Sequence, residues 1–337
     1  MTEMSAFIRG MPKTELHMHI EGSLEPEMMF ALAARNDIKL RWETPEALRA
    51  AYRFSDLQSF LDLYFEGCRV LLHEADFYDV TAAYLRRASE DGIVRAELFM
   101  GPQSFTGRGV PIDCVMNGVL RAMDDAEHER GISSGLMVSA HRHRTEDDAL
   151  ELLDQVMPWS DRILAIGMGG AEIGNPPSKF KSFFRECRGR GFRTTIHAGE
   201  EGPASYVREA IELLEVDRID HGNACLADPG LARELAHRRI ALTVCPLSNL
   251  RLNVVRTLRD HPLRAMMDAG LLTTVNSDDP PYFDGYVSEN LVECQQGLQL
   301  SREDIVRLVR NGFEAAFITN EERHRFLTAV DTYVGSA

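Results

Sequence analysis

Short apolar runs and longer amphipathic stretches alternate along most of this chain. Runs of about four to eight apolar or alternating residues read as strands, and apolar residues at three- and four-residue spacing read as helices. Eight candidate strands emerge: residues 14–19 (TELHMH), 94–100 (VRAELFM), 135–140 (GLMVSA), 163–168 (ILAIGM), 193–199 (RTTIHAG), 218–222 (RIDHG), 240–246 (IALTVCP) and 271–280 (LLTTVNSDDP). Helical spacing lies between them, as in residues 203–215 and 228–239. The second of these opens with an Asp able to cap and a Pro at a first-turn position. From the fourth strand onward the repeat is about 25 to 30 residues, the size of a βα unit. The pattern predicts an α/β fold, a (β/α)8 TIM-type barrel. The longer interval from Ile20 to Val94 contains the helical stretch 54–72. It predicts additional helices after the first strand that cover one end of the barrel.

A chain of 337 residues is long for one domain, but barrels of this type reach that size, so residues 1–337 are expected to form a single domain. The formal net charge of -15 argues against a nucleic-acid binder, which needs clustered Lys and Arg. The six cysteines, at 68, 114, 187, 225, 245 and 294, form no C-x-x-C pair, so neither a thiolate zinc site nor a disulfide framework is indicated. The first residues lack the apolar core of a signal peptide, and no apolar run approaches the roughly 20 residues of a membrane helix. A cytoplasmic protein with no membrane partner is expected.

Barrels of this kind carry their active sites at the C-terminal ends of the strands. There the first strand offers His17 and His19, which point the same way because strand side chains alternate. The fifth strand ends in His197, Gly199 and Glu200, the sixth in Asp220 and His221, and the eighth in Ser277, Asp278 and Asp279. Taken singly, each has an ordinary explanation: a strand-end histidine, a helix N-terminal carboxylate, a turn aspartate, and an Asp220 that orients a neighbouring group or pairs with Arg218. Gathered at one rim, they point to a metal-dependent hydrolase. His17, His19, His197 and one carboxylate of the eighth strand suit a divalent ion; zinc fits, with Fe and Mn left open. Such an ion acidifies bound water, and Glu200 and His221 are left as acid/base groups. His141 and His143 follow the third strand and so lie near the rim, with their role left open.

The segments PKTELHMHIEGSLEP, HAGEEGPASYVREAI, RIDHG, TVCPLSN and VNSDDPPYF, in this order from residue 13 to about 286, resemble the adenosine/adenine deaminase family of the amidohydrolase superfamily. HIEGSLEP, HAGEEGP and EIGNPPSKF are most similar to its bacterial and fungal adenine deaminase branch. The resemblance implies a (β/α)8 barrel with one zinc per chain on His17, His19, His197 and Asp278. It further implies that Glu200 protonates purine N1, that His221 orients or deprotonates the metal-bound water, and that Asp279 bonds N7. Three rim segments depart from the branch: Met168-Gly169-Gly170, Gly101 to Phe105, and SAHRHR after the third strand.

The expected substrate is a small purine, and the expected reaction is deamination of adenine to hypoxanthine and ammonia. N6-substituted adenines, which would release an alkylamine, and adenosine are the alternatives. A catalytically inactive binding relative and a metal-dependent phosphoester or amide hydrolase are the competing classes. Glu21 stands where adenosine deaminases carry an Asp used on the ribose, and the longer side chain favours a free base. Gly169 and Gly170 are expected to leave room near the amino group, and Phe105 to add an apolar surface. Self-association is left open.

Overall fold

The structure, a computed structural model, describes residues 2–336. All eight expected strands form: β1 (Lys13–His19), β2 (Ile93–Met100), β3 (Ser133–His141), β4 (Ile163–Gly169), β5 (Arg193–Ala198), β6 (Arg218–His221), β7 (Ala241–Val244) and β8 (Leu272–Val275). They lie in sequence order, and each pairs in parallel with the next. The strands are almost wholly buried, as strands covered by helices outside and filled by side chains inside must be.

β8 stops five residues earlier than its apolar pattern suggests, because Asn276 takes over the bonding. Its Oδ1 accepts the Leu16 N–H at 2.9 Å and its Nδ2 donates to Thr274 Oγ1 at 2.9 Å, while its own N–H donates to Val244 O. The ring then closes from β8 to β1 at a single parallel bridge, Met18 to Asp278. The Asp278 N–H donates to His17 O at 2.9 Å and the His19 N–H to Asp278 O at 3.0 Å. The closure therefore lies among the residues picked out as metal ligands.

The barrel floor is ionic. Arg218, fully buried on β6, pairs with Glu97 on β2 at 2.6 Å and lies over the Phe317 ring at 4.2 Å. Glu97 also takes Arg95 and the Phe317 N–H. Two alternations separate the inward-facing Arg218 from Asp220, so Asp220 is free to serve the layer above.

Between β1 and β2 lie the helices Pro26–Arg35, Pro45–Ala50, Leu57–Gly67 and Glu74–Glu90. The third starts at an Asp56–Ser59 capping box and turns Leu57, Phe60, Leu61 and Tyr64 inward over the barrel mouth. At the opposite end the helix Glu3–Gly10 is tied down by Lys13, whose Nζ donates to Ile8, Arg9 and Met11 carbonyls at 2.8–3.1 Å. Among the described residues, no helix is long and apolar enough to cross a membrane.

Candidate active site

The mouth of the barrel holds a pocket lined by His19, Glu21, Gly101, Ser139, His141, Gly169, Gly170, His197, Glu200, His221, Asp278 and Asp279, closed above by the helix Leu57–Gly67. Adjacent residues on a regular strand face opposite ways. Here Asp220 and His221, and likewise Asp278 and Asp279, serve one site. The alternation is broken by left-handed backbone at His221 (φ 66°) and Asp278 (φ 65°). Such conformations cost about 1–3 kcal/mol in a non-glycine residue and collect at functional sites.

Four donors converge. His17 Nε2 and His19 Nε2 lie 3.1 and 3.2 Å from His197 Nε2. Asp278 Oδ1 lies 3.5 Å from both His17 Nε2 and His19 Nε2. A tetrahedron with metal–ligand bonds of about 2.0–2.1 Å has edges of about 3.3–3.4 Å. Three imidazole nitrogens facing one another and a carboxylate at this spacing fit a bound cation. Behind them, Asp220 Oδ2 lies 3.3 Å from His197 Nδ1 and is itself fixed by Thr195 Oγ1 at 2.6 Å and Thr243 Oγ1 at 3.0 Å. The far nitrogen of His17 is 3.0 Å from Thr243 Oγ1. These partners turn Nε2 of both rings toward the centre. Asp220 thus backs a histidine, in line with the reading that it orients a neighbouring group, while Arg218 pairs with Glu97 and not with Asp220.

Two acid/base groups stand beside this set. Glu200 Oε2 is 3.5 Å from His221 Nε2, and both are within reach of Asp278. Burial, then the charge of Asp278, raises the Glu200 carboxyl far above the usual range. Burial, then the neighbouring His17, drives His221 well down, toward the neutral ring. Burial and the adjacent Asp278 also raise Asp279 strongly. The two neighbouring carboxyls are thus pushed apart, Asp278 downward by the histidines around it and Asp279 upward, as two acids at one site require. Asp279 reaches its place because residue 22 is glycine: a Cβ there would fall 1.6 Å from Asp279 Oδ1.

Glu21 lies in the pocket with Oε1 accepting the Gly101 N–H at 2.8 Å and Oε2 buried without a partner among the described residues. Gly169 and Gly170 line the pocket too, but the space they vacate is already occupied. A Cβ at Gly169 would lie 3.2–3.4 Å from the His197 ring, and one at Gly170 (φ 94°) 3.3 Å from His143 Nδ1. A side chain at either position would crowd a histidine, so the pocket wall there is bare backbone.

Phe105 is not in the pocket. It is fully buried in the short helix Gln103–Thr106 and meets Phe77 edge-on at 4.8 Å, because that turn carries it behind β2. The apolar wall comes from Leu57, Phe60, Leu61, Tyr64 and Phe65, whose helical spacing was visible in the chain but whose orientation was not. His141 also joins the site. Its ring stacks on His143 at 5.2 Å, meets Phe65 at 5.5 Å, and is lowered to about 3 by burial, hence neutral.

The chain matches the adenosine deaminase family model over residues 12–333. A relative from Rhodopseudomonas palustris (strain BisB18), named adenine deaminase, is 69% identical over 334 residues, covering 99% of this chain and 97% of the relative. The crystal structure of adenine deaminase from Arthrobacter aurescens superposes with a TM-score of 0.95 at 46% identity, covering 96% of this chain and 99% of that one. An amidohydrolase structure from Burkholderia ambifaria with bound Zn superposes with a TM-score of 0.91 at 28% identity, covering 99% and 96%.

Proposed function

The chain belongs to the adenosine deaminase family, and from that premise we propose that it is a zinc-dependent adenine deaminase, hydrolysing adenine to hypoxanthine and ammonia. The observation that carries the reading is the meeting, at one barrel mouth, of three imidazoles and the Asp278 carboxylate at metal-ligand spacing with two buried carboxyls, Glu200 and Asp279, whose pKa values burial raises. The 69% identity to a relative named adenine deaminase supports the substrate.

In this reading His17, His19, His197 and Asp278 would hold one divalent ion, which when bound would supply a water acid enough to attack at neutral pH. Zinc suits three imidazoles and a carboxylate, and the zinc-bound relative supports it; Fe and Mn suit the same donors. Glu200 gives its proton to purine N1, making C6 electrophilic. His221, neutral, takes the proton of the attacking water. Asp279, protonated, donates to N7, an acceptor. The proton held by His221 then passes to the departing amino group, and the C6 hydroxyl returns its proton to the Glu200 carboxylate as the carbonyl forms, so one water is consumed, one ammonia is released and both groups are restored. An acid and a base with pKa values pushed apart by burial can run both transfers at one pH.

The free base is favoured by Glu21, whose buried Oε2 has no hydrogen-bond partner among the described residues and would accept the N–H of the five-membered ring. A nucleoside has no N9–H to offer, and an unpaired buried group costs about 1–3 kcal/mol, roughly ten- to hundredfold in discrimination. The test is kcat/KM for adenine, an N6-alkyladenine and adenosine at equal metal loading. Adenine should lead; adenosine in first place would overturn the free-base reading.

A further inference from the structure

The segment EIGNPPSKF after β4 has no part in the chemistry described so far, yet its first residue holds the loop that carries the acid. Glu172 is almost fully buried. Its carboxylate accepts four consecutive backbone N–H groups: Gly199 at 2.7 Å on Oε1, and Glu200, Glu201 and Gly202 at 3.1, 2.9 and 2.7 Å on Oε2. Successive N–H groups turned to one side form a concave cradle for an anion. Here the anion is a side chain from the neighbouring strand end, and without it most of these donors would be buried and unpaired.

Glu172 is itself seated. Arg142, fully buried, lies 3.9 Å from Glu172 and donates from Nη1 to the carbonyl of His197 at 2.5 Å. Its other nitrogens donate to Asn175 O at 2.6 and 3.0 Å. Lys179 Nζ donates to Arg142 O at 3.1 Å and Asn175 Oδ1 at 3.0 Å. The end of β5 is thus gripped twice, by Arg142 at the backbone of His197 and by Glu172 at the backbone of Glu200.

We propose that Glu172 is a positioning residue for the reaction, its carboxylate clamping the 199–202 backbone so that the Glu200 side chain is held at the substrate. The inference rests on the reading of Glu200 as the acid. A side-chain displacement of about 1 Å can cost about 10²-fold in rate. Glu172→Gln keeps the size but turns an amide NH2 toward N–H groups, so the loop should shift.

The experiment measures kcat, KM and metal content for wild type, Glu172→Gln, Glu200→Gln and the double variant, with amide hydrogen exchange on the wild type and Glu172→Gln. Glu172→Gln should lose kcat by about 10²-fold, with KM and metal content little changed. In the Glu200→Gln background it should add no further loss, because both act through one group. The amides of 199–202 should be protected in wild type and exposed in Glu172→Gln. Near-normal kcat in Glu172→Gln, or losses that multiply in the double variant, would overturn the proposal. Glu172→Asp replaces it should Gln prevent folding, with a smaller kcat loss expected and no loss counting against the clamp. If wild type releases no ammonia from adenine, the functional reading fails. The clamp is then judged by exchange alone: unprotected amides in wild type, or protection unchanged in the variant, refute it.

Discussion

At the scale of single residues, the site separates groups that would hold the metal from groups that move protons, and substitutions should tell them apart. His197→Ala leaves the donor set one nitrogen short and Asp220 facing a void. Metal content and turnover should fall together, read by elemental analysis of the purified protein and by ammonia release. Glu200→Gln keeps the shape and removes the acidic proton. It should bind metal normally and lose turnover by at least about 10²-fold. A metal-free His197→Ala protein with full activity would remove the metal from the mechanism. Full activity in Glu200→Gln would remove the acid.

At the scale of elements, the weak seam of the barrel is β8 against β1, joined by one bridge where the other neighbours share a ladder. Asn276 is the suture, bonding β1, β7 and β8 at once. Asn276→Ala strands the buried Leu16 N–H, which costs about 1–3 kcal/mol. Since Asp278 follows by two residues and bonds β1 through its own backbone, the same change should weaken metal retention. Chemical denaturation with and without added metal checks both effects. A destabilised protein with unchanged metal affinity would show that the seam and the donor set are independent.

For the molecule as a whole, buried histidines outside the site tie stability to pH. His261 accepts the Leu263 N–H on Nδ1 at 3.1 Å and lies 3.0 Å from Asn249 Oδ1 on Nε2, an arrangement complete only for the neutral ring. Burial lowers it from 6.5 to about 4. Between these values the unfolded chain binds the extra proton, so stability is fully present above about pH 6.5 and is lost as pH falls toward 4. The contribution is at most about 3 kcal/mol. Carboxylates titrate in the same window, so the measure is the difference between wild type and His261→Gln. Unfolding free energies taken from pH 6.5 to 4.5 should fall less steeply in the variant, and parallel curves would refute the assignment.

The repeat of apolar strand and amphipathic helix determined the eight-stranded barrel, because strand period and βα spacing are local properties of the chain. The same locality made His17 and His19 legible as one face, and the rule that barrel sites lie at strand C-termini brought His197, Glu200, His221, Asp278 and Asp279 onto one list. Pattern alone did not reveal how Asp220 and His221, or Asp278 and Asp279, could serve one pocket, since that depends on left-handed backbone. It misplaced Phe105, because a four-residue turn decides which way that ring points. It also left the purpose of Glu172, Arg142 and His141 unread. Their meaning lies in contacts with residues 27 to 55 positions away, such as Glu172 with Gly199 and Arg142 with His197, or in the wall supplied by the helix Leu57–Gly67. Contacts of that kind exist only once the barrel has closed, so the sequence supplied the parts of the site and the tertiary structure decided which of them touch.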